Sequence, residues 1–417
     1  MPLSEQDDMQ AIILQMPIPD EDKWKLRWWQ QGQRWRTEPE IDAERQKYLE
    51  EQRNKYDVIE HIYPFKDIKL NRADVEWLIA THKNGHWPVE SDGFGQPGRE
   101  GVNLHGAILR GVDLWMLPLA NADLYDAHLE GANFHSAHLE GANLINAHLE
   151  GAKLISTHLE KACLMDANLE RANLSSAHLE GAWLSNVHLE GAILYITFLD
   201  AETSLHRIVL SNQEIGPVSL LDVHWGDANV GTIDWPSLSK LGDEHSARQQ
   251  KNHDGTPKSR AELIYGYECA TRAYRQLAVT LHNQGLNEDA ARFVYSSQGM
   301  QRKLFWHQRK FIRYISSLFL NILAGYGYRW WRSFVTYLLV ITIFAIAYFI
   351  VGHTVGPALS PLSSLVFSMT SFHGRGFFPG GIGLDDPLTV IAAFEAFVGL
   401  LIEVTFIATL TQRLFNR

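Results

Sequence analysis

The chain of 417 residues is 46% apolar and 20% charged, so it can bury a large core, and its length suits about three domains. A peptide, a disordered tail and a collagen-like polymer are thereby excluded. Lys and Arg number 37 against 48 Asp and Glu, a net charge of −11, which argues against nucleic-acid binding through a general basic face.

Cys163 and Cys269 are too few for a disulfide framework or a thiolate cage, and point to a reducing compartment. The first ten residues are acidic and lack an apolar core, so no signal peptide is expected. Residues 1–101 read as an N-terminal helical and capping region. Trp24, Trp28, Trp29 and Trp35 lie there among charges without a motif. The clearest helix signal runs from Asn71 to His82, with Asn71 as N-cap, Asp74 at its third position and Gly85 past its end.

From Leu104 to Leu199 every fifth residue is Leu, apart from Phe134, over twenty unbroken positions. A small residue, usually Ala, stands two places earlier, as at Ala122, Ala132 and Ala142. A period of five is neither the 3.6 of a helix nor the 2 of a strand, and it signals a solenoid. Ala132-Asn133-Phe134 and Ala142-Asn143-Leu144 resemble the pentapeptide-repeat family. The resemblance implies a right-handed quadrilateral β-helix with four pentapeptides per coil, Leu and Ala inward, and hence five coils. At sheet spacing these would stack to roughly 25 Å. After a one-residue slip the period resumes at Leu205, Leu210, Ile215, Leu220, Trp225, Val230 and Trp235, which predicts two less regular coils closed by Trp. The solenoid is expected over 102–239.

His-Leu-Glu recurs every ten residues from His128, broken only at Asn168. With twenty residues per coil, His138, His158 and His178 would stack beside Glu140, Glu160 and Glu180. That arrangement offers a weak divalent-metal or pH-responsive ladder. Duplication of a ten-residue unit on a solvated face explains the same pattern without any ligand.

Residues 240–260 are polar and read as a linker, followed over 261–301 by a helical hairpin whose first helix carries Leu263, Tyr267, Ala270, Tyr274, Leu277 and Leu281. Between Arg302 and Arg332 stand seven bases, no acids, and interleaved apolar residues. This is the pattern of a basic interfacial helix at a cytoplasmic membrane surface, with Trp330 and Trp331 at headgroup level. Residues 333–417 then hold two spans, Ser333 to Gly352 and Leu388 to Leu410. Arg413 and Arg417 after the second span join the bases before the first in placing both termini on the cytoplasmic side of the plasma (inner) membrane.

Between the spans, Ser360-Pro361 starts an apolar stretch too short to cross, which runs into Phe372-His373-Gly374-Arg375-Gly376. Span, short helix, Gly-x-Gly loop, span: this order resembles the two-transmembrane pore module of potassium channels. The resemblance implies a re-entrant pore helix, a filter at Phe372 to Gly376, a hinge at Gly399, and a cavity-facing Glu403 one turn later. The family's Thr-Val-Gly-Tyr-Gly is absent, so potassium selectivity does not follow. In similar filters the residue between the glycines faces the protein wall, which would bury Arg375, and Glu395 is the expected partner and filter support. Glu395 lies about 80° around the helix from Glu403, away from the cavity.

No P-loop, Gly-x-Ser-x-Gly or His-Glu-x-x-His occurs, and neither an enzyme nor a cofactor is expected. The leading reading is a homotetrameric channel for monovalent or divalent cations, in contact with membrane lipid, with the solenoid available to an unknown protein. The second is a membrane-anchored scaffold that binds a protein and does not conduct.

Overall fold

A computed structural model describes residues 33–57, 62–82, 101–252, 254–327, 330–354, 359–374 and 386–415. It divides into two compact units, Met1–Gly242 and Asp243–Arg417.

In the first unit the period of five becomes a chain of turns. From Leu104 to Leu194 each central residue accepts from the amide three residues on, as Leu104 does from Ala107 N–H, and the residue two places after it takes positive φ. Such a turn favours Gly, Asn, Asp or Ser at that place. The sequence supplies them at Gly106, Asn121, Asp126, Gly131 and Ser136. Parallel bridges join residues twenty apart, including His138 to His158 and His158 to His178, so four pentapeptides make one coil. Pairing is through single bridges rather than extended strands. All twenty inward positions from Leu104 to Leu199 are at most 5% exposed, which supplies most of the burial that holds the solenoid together.

At the start, Lys69 bridges to Ile108 and extends the first coil. Helix α1 (Ala43–Arg53) precedes it, and α2 (Arg72–Ala80) follows the capping box of Asn71 and Asp74, ending two residues short of the expected His82. Gly85 lies outside the described residues. Buried Arg72 pairs with Glu76 at 2.7 Å and donates to the Asp113, Trp115 and Trp35 carbonyls, which satisfies charges that could not be buried alone.

The later coils depart from the expected register. Bridges shift from twenty to twenty-one residues at Trp183–Ser204, then to twenty-six at Ile193–Ser219. The added five residues form a small hairpin, β1 (Ser211–Asn212) against β2 (Gly216–Pro217). Ile215 is therefore not an inward residue: it sits in the hairpin and packs over Gly191. Trp225 and Trp235 are buried with rings 6.1 Å apart, and Trp235 Nε1–H donates to the Val230 carbonyl within a pair of 3₁₀ turns that take the place of a last regular coil.

Most of the expected linker is described and belongs to the second unit. It contains α3 (Gly242–Arg248), whose Glu244 accepts from the Tyr274 hydroxyl at 2.6 Å and pairs with Arg248. Tyr274 lies on α4 (Arg260–Asn283), which packs against α5 (Asn287–His307) through Tyr274 and Phe293. The hairpin thus runs beyond 301, and 302–332 is not one interfacial helix. It comprises the end of α5, a turn with Arg309 at φ 58, α6 (Phe311–Ala324), a left-handed break at Gly325 and Tyr326, and the start of α7 (Trp330–Thr354). Arg302 and Lys303 are engaged locally, by the Tyr326 hydroxyl and the Tyr267 ring. Arg329 and Arg417, and the side chains of Trp330, Trp331 and Arg413, lie outside the described residues.

Helix α7 and α9 (Pro387–Phe415) contain the segments Phe334–Thr354 and Pro387–Ala408, long and apolar enough to cross a membrane. The twelve-residue α8 (Pro361–Phe372), capped by Ser360, packs against both.

The register yields a direct test. Leu149→Asp places a carboxylate among buried leucines with no partner and should cost several kcal/mol, roughly 3 or more. His148→Ala, on a half-exposed position, should change stability by about 0.5 kcal/mol or less. Thermal unfolding that leaves the two variants equal would contradict the inward assignment.

Candidate functional site

Four polar constellations stand out, two in the helical unit and two on the solenoid.

At the end of α8, Phe372 is buried against Tyr337, ring centroids 5.0 Å apart, and Gly374 turns the chain with φ 65 while its amide donates to the Ser371 carbonyl. His373 lies between two partners: Nδ1 meets the Glu403 carboxylate and Nε2 meets the Tyr337 hydroxyl at 3.2 Å. One neutral tautomer satisfies both, donating from Nδ1 to Glu403 and accepting from Tyr337 at Nε2. The group lines a cavity of about 520 Å³ together with Phe334, Ile402, Phe406 and Ile407. Two expected site residues, His373 and Glu403, are thus brought together; Tyr337 was not expected. Arg375 and Gly376 lie outside the described residues, and the expected pairing of Arg375 with Glu395 lies there with them.

Gly399 has a packing role. A Cβ built there would lie 2.1 Å from the Phe372 carbonyl oxygen, so only glycine lets α9 approach the end of α8 this closely. Helix α9 continues through it without a break.

Glu395 is completely buried. Tyr348 on α7 donates to its Oε2 at 2.6 Å, and Ser368 on α8 bonds its Oε1 while also lying 2.9 Å from the Ile341 carbonyl. One carboxyl therefore ties all three helices, which is how a polar group persists in an apolar bundle. It is not among the residues that line the Glu403 cavity.

On the solenoid, the His138, His158 and His178 rings stack at 4.9 and 5.0 Å, and the stack continues through Phe198 to His224 at 4.7 Å steps. Each imidazole Nδ1 meets its own glutamate, at 2.8 Å for Glu140, 3.0 Å for Glu160 and 3.3 Å for Glu180. The six expected residues form one continuous ladder. Half a coil away runs a second one, with His128, His148, Asn168 and His188 beside Glu130, Glu150, Glu170 and Glu190.

Comparison with known proteins bears on the solenoid. The family model for pentapeptide repeats (8 copies) matches residues 132–171 and 172–195. The chain is similar to the pentapeptide repeat protein Rfr23 of the cyanobacterium Cyanothece 51142, with 34% identity over 25% of this chain and 84% of that one and a TM-score of 0.25. It is likewise similar to a pentapeptide repeat protein of Nostoc Pcc 7120, with 35% identity over 22% of this chain and 72% of that one and a TM-score of 0.20. Comparison with curated proteins gives no match. Through its repeats the chain belongs to the pentapeptide-repeat family.

The buried carboxyl generates a prediction. Glu395→Ala removes the acceptor of the Tyr348 hydroxyl, leaves Ser368 only the Ile341 carbonyl, and opens a void, so it should destabilise the helical unit by about 2–5 kcal/mol. Glu395→Gln, which keeps one acceptor, should cost less. Thermal unfolding in mild detergent reads both, and an unaffected Glu395→Ala would remove Glu395 from the packing.

Proposed function

We propose that the protein is a homotetrameric cation channel of the plasma membrane, with both termini cytoplasmic and the pentapeptide-repeat domain preceding the pore. The observation that carries this reading is the Tyr337–His373–Glu403 group. It places a carboxylate and an imidazole on a cavity at the end of a helix too short to span, between two helices long enough to do so. A helical pair serving only as an anchor has no use for these groups at membrane depth, where they are costly.

In this reading α8 is a re-entrant pore helix, residues 372–376 form the filter, and four copies of Glu403 make a ring that concentrates cations. Support for association comes from α9, along which Val390, Phe394, Phe397, Leu400, Val404 and Ile407 form an exposed apolar stripe at helical spacing. A tetramer would cover part of that stripe and lipid the rest. The twenty-residue coil of the solenoid is inferred to be quadrilateral, one pentapeptide to a side. Nucleic acid has no part in this function, and the protein is not proposed to be an enzyme.

The second reading, a membrane-anchored scaffold whose solenoid docks a protein, is favoured by one observation: the family match is confined to 132–195 and does not reach the spans.

Native mass spectrometry in mild detergent should give a tetramer; a stable monomer or dimer would count against a shared pore. In single-channel recordings Glu403→Gln should lower cation conductance and weaken internal block by multivalent cations. If conductance and block stay unchanged, Glu403 belongs to helix packing with His373.

A further inference from the structure

The second ladder has one rung unlike the others. Where His128, His148 and His188 each stand 3.3–3.7 Å from the glutamate two residues on, Glu170 follows an asparagine. Asn168 turns its amide to Glu150 at 2.9 Å, and its Oδ1 accepts from the Glu170 backbone. Glu170 consequently has no imidazole from its own coil. The next donor groups lie one coil on, where His188 and Glu190 bring an imidazole nitrogen and a carboxylate oxygen so near that, with one Glu170 oxygen, all three ligand atoms lie within 4.8 Å of one another.

Glu190 differs from the other ladder glutamates as well. Its side chain is 4% exposed, against 28–36% for Glu130, Glu140, Glu150, Glu160 and Glu180. The β1–β2 insertion accounts for the burial: His188 bridges to Val209, which brings Ser211 at the start of β1 into register with Glu190, and Ile215 packs over Gly191. Oε1 of Glu190 meets His188 Nδ1 at 3.3 Å, while Oε2 is buried and without a hydrogen-bond partner among the described residues; Glu140, Glu150, Glu160 and Glu180 share that unpartnered Oε2, but only on Glu190 is the whole side chain withdrawn from water. A carboxylate oxygen withdrawn from water with no donor, one coil from a second carboxylate, calls for a cation.

We infer that Glu170, His188 and Glu190 form a binding site for a first-row divalent cation, with Zn²⁺ as the best fit to one imidazole and two carboxylates. Nitrogen and oxygen donors without thiolate suit such ions. Two ligands each about 2.1 Å from a shared ion lie at most about 4.2 Å apart. The three ligand atoms here lie within 4.8 Å of one another, and the half-exposed His188 ring is free to adjust by rotation. The site stands on the solenoid's own geometry and is independent of whether the protein conducts.

The test is Zn²⁺ titration of the full chain in detergent, after chelator treatment, by calorimetry and by the rise in unfolding temperature. Wild type should bind, and Glu170→Gln and Glu190→Gln should each weaken the tightest site at least tenfold, whereas Glu130→Gln on the same ladder should leave it unchanged. Because Glu190 is buried, Glu170→Gln at the half-buried rim decides the matter if Glu190→Gln fails to fold. Absence of Zn²⁺ binding by wild type, or Glu170→Gln binding as tightly as wild type, overturns the assignment.

Discussion

A polar group withdrawn from water must find a partner inside the protein, and both units are organised by how they meet that requirement. In the solenoid the backbone does it through register. In the regular coils the bridging amides and carbonyls are taken up by the neighbouring coil, nineteen or twenty-one residues away, and the leucines and alanines are left to fill the interior. The register then dictates the outer surface, because side chains at equivalent places recur every 4.7–5.0 Å. Stacked imidazoles beside stacked carboxylates follow from this repetition, and Asn168 and the β1–β2 insertion mark where it changes.

In the helical unit the same requirement falls on a few side chains. Glu395 is held by Tyr348 and Ser368, one from each neighbouring helix. Glu403 is held by His373, which in turn meets Tyr337. The first set is sealed in and holds the three helices together. The second borders a cavity and remains about 38% exposed, so its charge is available to something in that space. Gly399 joins the two sets by letting α9 press against the end of α8.

Much of this was legible in the sequence because it is periodic or local. Leucine at every fifth place, the cap formed by Asn71 and Asp74, the Ser360-Pro361 start and the lengths of the spans each follow from neighbours within a few residues. Ile215 kept the period of five while leaving the interior, since an insertion of one whole pentapeptide does not disturb that period. The polar order of 240–260 hid α3, whose Glu244 is fixed by Tyr274 thirty residues later. Tyr348 and Tyr337 belong to no motif in the sequence, and only the packing of α7 on α8 and α9 shows what their hydroxyls reach. The role of Gly399 was obscured for the same reason: a glycine needed for close approach and one needed for bending look alike in sequence.

The central claim is conduction, and the wild-type protein in a planar bilayer tests it most directly. With asymmetric salts and ion substitution, the account predicts single-channel currents whose reversal potential follows the cation gradient. Silence under every ionic condition, or a reversal potential that follows chloride, would contradict it.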